Sequence, residues 1–294
     1  MEDQSQTYSR FVESHRAPEP QPEPHPNNPS YPPPLLGQKR LVLSATSKGG
    51  VGKSYVTINL AEWLDSIHVP FVAFDPDWCN SSLTRFYDKA EFLDIGESVN
   101  LDNVIRALDR TDLILVDGVG SMQNQFLDWL EETRVFDLRE QLSLDITLVL
   151  IIEEDKETVF QAGQAVKRIG SRANWLVVRN MKTSPVTEIY DNSNARRELL
   201  EAGAREITIE RLPWNLSSLS QKTSQSIGRL SSDESVFFLE RQRMRSHQQK
   251  IFDEFNKARN ILLPGSVLQA ATHEPKKEEI PAAVTRTRVP PQDV

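Results

Sequence analysis

The residues with the clearest chemistry lie in a glycine-rich turn between an apolar run and a helical pattern. Residues 40–45 read as a strand, residues 53–66 read as a helix, and the turn ends in Gly-Lys-Ser. Glycines let backbone N–H groups approach phosphate oxygens, and the helix start adds partial positive charge. Lys53 would reach the β- and γ-phosphates of a nucleotide, and the Ser54 hydroxyl would bind Mg²⁺. The alternative is a tight turn with coincidental lysines. The predicted nucleotide contacts here are Gly49, Gly50, Val51, Gly52, Lys53, Ser54 and Tyr55.

Carboxylates follow two further apolar runs. Asp75 and Asp77 come after the run at 69–74, and Asp117 comes after the run at 112–116. In a doubly wound sheet, ligands bind outside the carboxyl ends of the strands. Mg²⁺ takes one or two carboxylates, with waters and phosphates completing its shell. We therefore predict a metal site at Ser54, Asp75 and Asp117, the alternative being that these acids cap the segments that follow.

The motif from Lys48 to Ser54 resembles the deviant Walker A motif of the ParA/MinD ATPases, in which Lys48 would be the additional signature lysine. Asp75 and Asp77 match the switch I position of that family, and Asp117 matches its Walker B aspartate. The resemblance covers about residues 39–262. It implies a P-loop ATPase that uses ATP and Mg²⁺.

The resemblance also implies a role for each matching residue. In this family ATP lies between two subunits, so Lys48 would reach the partner's phosphates, as an arginine finger does. Asp77 would position the attacking water, and Asp75 would support the Mg²⁺ site without touching the ion. Asn180 would contact the adenine edge and Pro213 would pack on the adenine. The alternatives are a solvated loop lysine at 48, a turn cap at 180 and a chain break at 213. The implied catalytic residues are Lys48, Lys53 and Asp77.

Some segments depart from the general pattern of the family. Residues 75–87 and 117–121 are more similar to plasmid-encoded transfer and stability proteins of the TraL/StbB kind than to chromosomal MinD. Gly118 and Gly120 stand where many relatives have a proline-containing switch II. Cys79 is the single cysteine, which excludes the paired-cysteine iron–sulfur branch and is typical of a reducing cytoplasm.

Composition predicts one folded body between two polar tails. The chain has 294 residues and a formal net charge of -8, so it is no polycation that coats nucleic acid. Half of the 18 prolines lie in residues 17–34, which favours an extended spacer over a ligand for an aromatic groove. We predict a disordered tail at 1–36, an ATPase domain at 37–264 and a disordered tail at 265–294.

The body alternates apolar runs with helical patterns. Continuous apolar runs are typical of strands buried on both faces of a parallel sheet. This alternation predicts an α/β fold, a doubly wound, mostly parallel sheet with helices on both faces. The predicted strands are 40–45, 69–74, 112–116, 146–152, 174–178 and 206–210, and the predicted helices are 53–66, 101–108, 122–132, 156–169 and 194–201.

A last helix is predicted at about 233–262. Its apolar stripe comprises Phe237, Met244, Ile251, Phe255, Ala258 and Leu262. Its other side carries Arg243, Lys250 and Lys257, and the resemblance implies nonspecific DNA binding near this region, largely through phosphates. The alternative is an ordinary solvated helix face.

The favoured function is an ATP-dependent dimerising switch that positions or partitions cargo, either plasmid DNA or a protein complex. Two alternatives stay open: an ATPase recruited by a partner to membrane, secretion or conjugation machinery, and a small-molecule phosphoryl-transfer enzyme of the same fold. We expect an adaptor or stimulating protein, no direct membrane insertion, and a cytoplasmic location, with association to the nucleoid as an open alternative. No apolar run is long enough to cross a bilayer.

Overall fold

Seven strands form one parallel sheet in the part of the chain that the structure describes. The structure is a computed structural model and describes residues 38–77, 80–118, 120 and 123–272. The sheet order is β3-β2-β4-β1-β5-β6-β7, and each neighbouring pair is parallel. The predicted doubly wound fold is therefore confirmed. The strands are β1 (Lys39–Ser44), β2 (Val72–Asp75), β3 (Glu91–Phe92), β4 (Leu113–Val116), β5 (Leu144–Ile152), β6 (Asn174–Asn180) and β7 (Arg205–Ile209).

Helices connect these strands. Among the described residues, 3₁₀ turns lie at Ser98–Leu101, Ala107–Asp109 and Gly170–Arg172. The α-helices of the described residues are α1 (Lys53–Ser66), α2 (Ser82–Phe86), α3 (Asp102–Arg106), α4 (Gln123–Glu132), α5 (Arg139–Leu142), α6 (Lys156–Ile169), α7 (Glu188–Asp191), α8 (Asn194–Glu201), α9 (Trp214–Thr223), α10 (Ile227–Ser232), α11 (Phe238–Lys257), α12 (Arg259–Leu262) and α13 (Gly265–Thr272).

A hydrophobic core lies on each face of the sheet. In β1, Leu41 and Leu43 belong to the core that α4, α6 and α8 cover. Val42, between them, belongs to the opposite core, which α1, α10 and α11 cover. Successive side chains of a strand point to opposite faces. Burial on both faces is thus the physical reason why the strand sequence is continuously apolar.

The C-terminal part of the body is fixed beneath β1 by a buried arginine. The Arg40 guanidinium donates hydrogen bonds to the carbonyl oxygens of Leu263 (3.2 Å) and Asn260 (3.3 Å), and it lies 3.6 Å from the buried Asp145 carboxylate. The chain then forms α13, so the helical part extends past the predicted boundary at residue 264. The predicted tail at 1–36 and residues 273–294 lie outside the described residues.

The predicted last helix is interrupted. α11 ends at Lys257, and α12 begins after Ala258, whose backbone leaves the helical region at φ -105° and ψ 9°. The placement of Phe237 in the apolar stripe is wrong, because this residue precedes the helix and is 58% exposed. The other predicted stripe residues are buried, namely Met244, Ile251, Phe255, Ala258 and Leu262.

Candidate nucleotide-binding site

The glycine-rich turn joins the carboxyl end of β1 to the start of α1. Gly50 has φ 77° and Gly52 has φ 94°, both in the left-handed region that favours glycine. Gly52 is the N-cap of α1, and no side chain caps this helix. The first N–H groups of a helix have no intrahelical partner, so an uncapped start is suited to bind an anion.

Lys53 lies across the inside of this turn. Its Nζ donates a hydrogen bond to the carbonyl oxygen of Lys48 at 2.5 Å. Burial lowers the pKa of Lys53, and the carboxylates of Asp117 and Asp77 act in the opposite direction. The ammonium group is therefore placed at the loop and partly stripped of water, where its attraction to a phosphate is stronger than in bulk solvent.

Asp117 follows β4 and is buried against α1. Its Oδ1 accepts hydrogen bonds from Thr57 Oγ1 (2.8 Å) and from the Gly118 N–H (3.0 Å), and the Ser54 side chain also bonds the carboxylate. Burial raises its pKa to about 6. A nearby cation stabilises the ionised form of a carboxylate that is shielded from water. Asp117 and the Ser54 hydroxyl together form a hydroxyl–carboxylate pair suited to Mg²⁺. Among the described residues no three His, Cys, Asp or Glu side chains form a metal cluster.

The two acids after β2 have different surroundings. Asp75 is fully buried, and its carboxylate accepts hydrogen bonds from the Asp77 N–H (3.0 Å) and from the N–H and hydroxyl of Thr84 (2.9 and 3.2 Å). Asp77 accepts hydrogen bonds from the N–H and side-chain amide of Asn80 (3.0 and 3.1 Å) and lines the cavity described below. Asp75 therefore fixes the loop that presents Asp77.

Lys48 contacts the start of α6 in its own chain. Its Nζ lies 3.1 Å from Asp155 Oδ1 and 3.8 Å from a Glu157 oxygen, and its backbone N–H donates to Gln161 Oε1 at 3.1 Å. The hydrogen bond to Asp155 raises the pKa of Lys48. Asp155 is also the N-cap of α6, accepting from the N–H groups of Glu157 and Thr158. The sequence did not indicate this pairing.

The end of β6 holds the glycine-rich turn from the other side. The buried Asn180 amide donates a hydrogen bond to the Val51 carbonyl at 2.8 Å, and Lys182 Nζ donates to the Gly50 carbonyl at 2.6 Å. A Cβ atom at Gly52 would lie 2.7 Å from the Asn180 amide nitrogen. That amide nitrogen thus bonds the loop in this structure, whereas the resemblance assigns Asn180 to adenine, a role that stays a prediction.

One cavity of about 890 Å³ opens at the loop. Its volume lies within the range of small-molecule and cofactor sites. Beyond the loop, its walls include the start of α2, the segment after β4, and the β7–α9 connection. Pro213 lies in that connection, between the lining residues Leu212 and Trp214, and its contact with adenine stays a prediction. Several predicted site residues line this cavity: Gly49, Gly50, Gly52, Lys53, Ser54, Tyr55, Asp77 and Asn180.

The basic residues predicted to bind DNA are exposed on α11. Lys250 pairs with Glu210 at 2.7 Å, Lys257 pairs with Glu254, and Arg243 is exposed. These carboxylates reduce the positive charge of the surface, so DNA binding there stays a prediction. No helix of the described residues is long and apolar enough to span a membrane.

No protein-family model matches the sequence, and no curated protein matches it. A chain of the MinC:MinD cell division protein complex from Aquifex aeolicus matches with a TM-score of 0.50 and 16% identity, over 77% of this chain and 97% of that chain. The chain has a MinD-like fold. At this identity the likeness concerns the fold alone.

Two further solved structures match with lower TM-scores. The MinD cell division protein of Aquifex aeolicus has a TM-score of 0.47 and 14% identity, over 77% of this chain and 98% of that chain. A nucleotide-binding protein in complex with ADP from Archaeoglobus fulgidus has a TM-score of 0.44 and 14% identity, over 63% and 86% of the two chains.

Proposed function

We propose that this chain is an ATPase that binds ATP with Mg²⁺ between two copies of itself and switches between dimer and monomer. The dimer positions or partitions a cargo, plasmid DNA or a protein complex, and slow, partner-stimulated hydrolysis resets it. The observation that supports this most directly is the uncapped, glycine-rich start of α1, with Lys53 inside the turn and a cavity of about 890 Å³ in front of it.

Each site residue has a role that follows from its position. Backbone N–H groups of the loop and the Lys53 ammonium hold the phosphates. Asp77, at the cavity wall, orients the water that attacks the γ-phosphate, and Asp75 holds Asp77 in place through its N–H. Ser54 and Asp117 would hold Mg²⁺, which supplies charge neutralisation of the phosphates when bound.

In this proposal, the Lys48 side chain changes its contacts on dimerisation. Lys48 leaves Asp155 and Glu157 of its own chain and reaches the phosphates bound by the partner. A cation delivered in trans stabilises the charge of the transferring phosphoryl group. Monomer and dimer therefore differ in which anion Lys48 contacts, and ATP favours the dimer because it supplies the second anion.

The output surface is proposed to be a partner protein or DNA. The Aquifex MinD structure contains MinC, which supports an adaptor or stimulating protein for this chain as well. The exposed face of α11 is the proposed DNA surface, with Arg243, Lys250 and Lys257 as its cations. We propose a cytoplasmic location, with association to the nucleoid if DNA is the surface.

Calorimetry with ATP and Mg²⁺, combined with light scattering, tests the proposal. We expect wild-type protein to bind ATP and to dimerise, and Lys53→Ala to lose both. Lys89→Ala, which changes an exposed lysine far along the chain, is the matched control and keeps both. A wild-type protein that stays monomeric and does not bind ATP would refute the proposal. Turnover with and without DNA, and a search for a phosphorylated product, separate the switch from a phosphoryl-transfer enzyme.

A further inference from the structure

A buried carboxylate beside the glycine-rich turn has no role in the proposed function. Glu153 directly follows β5, the strand that pairs with β1, and β1 leads into the turn. Glu153 is only 7% exposed, and its buried Oε1 accepts no hydrogen bond from the described residues. Its backbone is held in place, because the Glu153 N–H donates to the buried Thr158 hydroxyl at 3.3 Å. A buried polar atom without a partner costs free energy, most of all when it is charged.

Two lysines and two further carboxylates determine the charge around Glu153. Burial raises the pKa of Glu153, Lys182 and Lys48 act in the opposite direction, and Asp155 adds to the increase. Lys182 comes from the β6–α7 connection, Lys48 from the turn, and Asp155 from the start of α6. Glu157, also on α6, lies 3.8 Å from Lys48. The ionised form of Glu153 is therefore stabilised mainly by the two lysines, since its Oε1 has no hydrogen bond.

Both lysines also lie where phosphates would bind. Lys182 Nζ donates to the Gly50 carbonyl at 2.6 Å, and Lys48 is part of the turn itself. In the proposed function, on which this step rests, a polyphosphate at the turn attracts both ammonium groups, and Lys48 leaves the carboxylates of its own chain on dimerisation. The ionised Glu153 then loses compensating charge and gains an anion nearby. Away from water, this repulsion is stronger than in bulk solvent.

We propose that Glu153 takes up a proton from the solvent when a polyphosphate binds at the turn, so that nucleotide affinity depends on pH. The added negative charge makes the Glu153 carboxyl hold its proton more tightly in the complex than in the free protein. A complex that binds the proton more tightly forms more readily as the pH falls. The affinity is therefore highest when Glu153 is neutral and lowest when it is ionised.

Calorimetry on the full-length chain tests this proposal with ATP and with inorganic tripolyphosphate, each with Mg²⁺. We expect wild-type protein to bind both ligands about tenfold more tightly at about pH 5.5 than at about pH 8, the effect of a tenfold change in the proton affinity of one carboxyl. Glu153→Gln cannot ionise, so at about pH 8 it should bind about tenfold more tightly than wild type. Tripolyphosphate has no base, so an equal effect on both ligands assigns it to phosphate charge.

Glu154→Gln is the matched control, because it removes the same charge from the neighbouring residue. The Glu154 carboxylate accepts a hydrogen bond from the Ile189 N–H of α7 at 3.3 Å, and this variant should keep the wild-type pH dependence. Glu153→Met, a second neutral variant with a side chain of similar length, should behave like Glu153→Gln. Asp117 and His247 are unchanged in every variant, so the differences between variants isolate the contribution of Glu153.

Proton uptake can also be measured directly. Calorimetry in two buffers with different ionisation enthalpies gives the number of protons that the protein takes up on binding. We expect wild type and Glu154→Gln to take up equal numbers of protons, and both neutral variants at position 153 to take up fewer.

Three results would overturn this proposal. Unchanged pH dependence and proton uptake in both variants of Glu153 would remove this residue from the coupling. An equal flattening in Glu154→Gln would make the overall charge of the segment responsible. A pH dependence that is present with ATP and absent with tripolyphosphate would assign the effect to the nucleoside. Wild-type protein that binds neither ligand refutes the proposed function itself, whereas the other three results leave that function in place.

Discussion

Replacing Asn180 by alanine separates two roles for this residue, holding the loop and contacting the base. The Asn180 side chain is 4% exposed, and its amide donates to the Val51 carbonyl at 2.8 Å. Alanine removes that donor and leaves a buried carbonyl without it, a change of about 1–3 kcal/mol in the free energy of unfolding. It also removes the side-chain amide that lies close to Gly52, so the loop loses its support on that side.

Urea denaturation and calorimetry measure both consequences. We expect the free energy of unfolding to fall by about 2 kcal/mol. We also expect the affinities for ATP and for tripolyphosphate to fall by the same factor, because in the proposed function the loop binds the phosphates of both. Asn192→Ala is the matched control, since its amide also bonds a backbone carbonyl, that of Glu188, but at an exposed position. That variant should change the free energy of unfolding by less than about 0.5 kcal/mol.

The opposite pattern would refute this reasoning. If Asn180→Ala binds tripolyphosphate as tightly as wild type and loses affinity only for ATP, the amide contacts the base and the bond to Val51 is incidental. The role implied by the family resemblance would then be correct.

Three further variants test other parts of the molecule. Lys48→Ala should still bind ATP but lose ATP-dependent dimerisation in light scattering, and a normal dimer would remove its role in trans. Burial lowers the pKa of His247 in the folded protein, so the unfolded state binds the proton more readily. The free energy of unfolding should therefore decrease as the pH falls below about 6.5. His247→Asn should flatten this dependence in urea titrations. Lys250→Glu should weaken any DNA binding and lower its salt dependence, and an unchanged salt slope would exclude α11.

The sequence predicted the centre of the site because its signals are local. A strand, a glycine turn and a helix are contiguous in the chain, and the acids at 75 and 117 directly follow apolar runs. The six predicted strands are present with bounds shifted by a few residues. β3 was missed because it has two exposed residues and thus no apolar pattern, and short helices such as α5 and α7 have too few residues for a period.

Other site contacts depend on the order of strands, which a single sequence does not specify. Lys182 and Asp155 reach the loop only because β5 lies beside β1 and β6 lies beside β5. Asp155 resembles an ordinary N-cap in sequence, and Lys182 resembles an ordinary loop lysine. The error at Phe237 has a similar origin, since helical spacing does not indicate where the helix begins.

A link between the loop and the far helix also follows from the tertiary structure. Tyr55, one residue after Ser54, forms a hydrogen bond between its hydroxyl and His247 Nε2 of α11 at 2.9 Å. Burial raises the pKa of Tyr55 well above its usual value, so the hydroxyl stays protonated. A shift of the loop on nucleotide binding would therefore be transmitted to α11 through the hydrogen bond between Tyr55 and His247.

The ion pair between Lys48 and Asp155 is weak enough for Lys48 to leave Asp155 on dimerisation, as proposed. The side chains of Lys48 and Asp155 are 29% and 25% exposed, and ion pairs with such access to water contribute about 0–1 kcal/mol. Asp155→Asn keeps a side chain that caps α6 well and removes the charge. We therefore expect this variant to change the dimer dissociation constant, measured by analytical ultracentrifugation with ATP, by less than about tenfold. A larger gain in dimerisation would mean that the ion pair between Asp155 and Lys48 strongly stabilises the monomer.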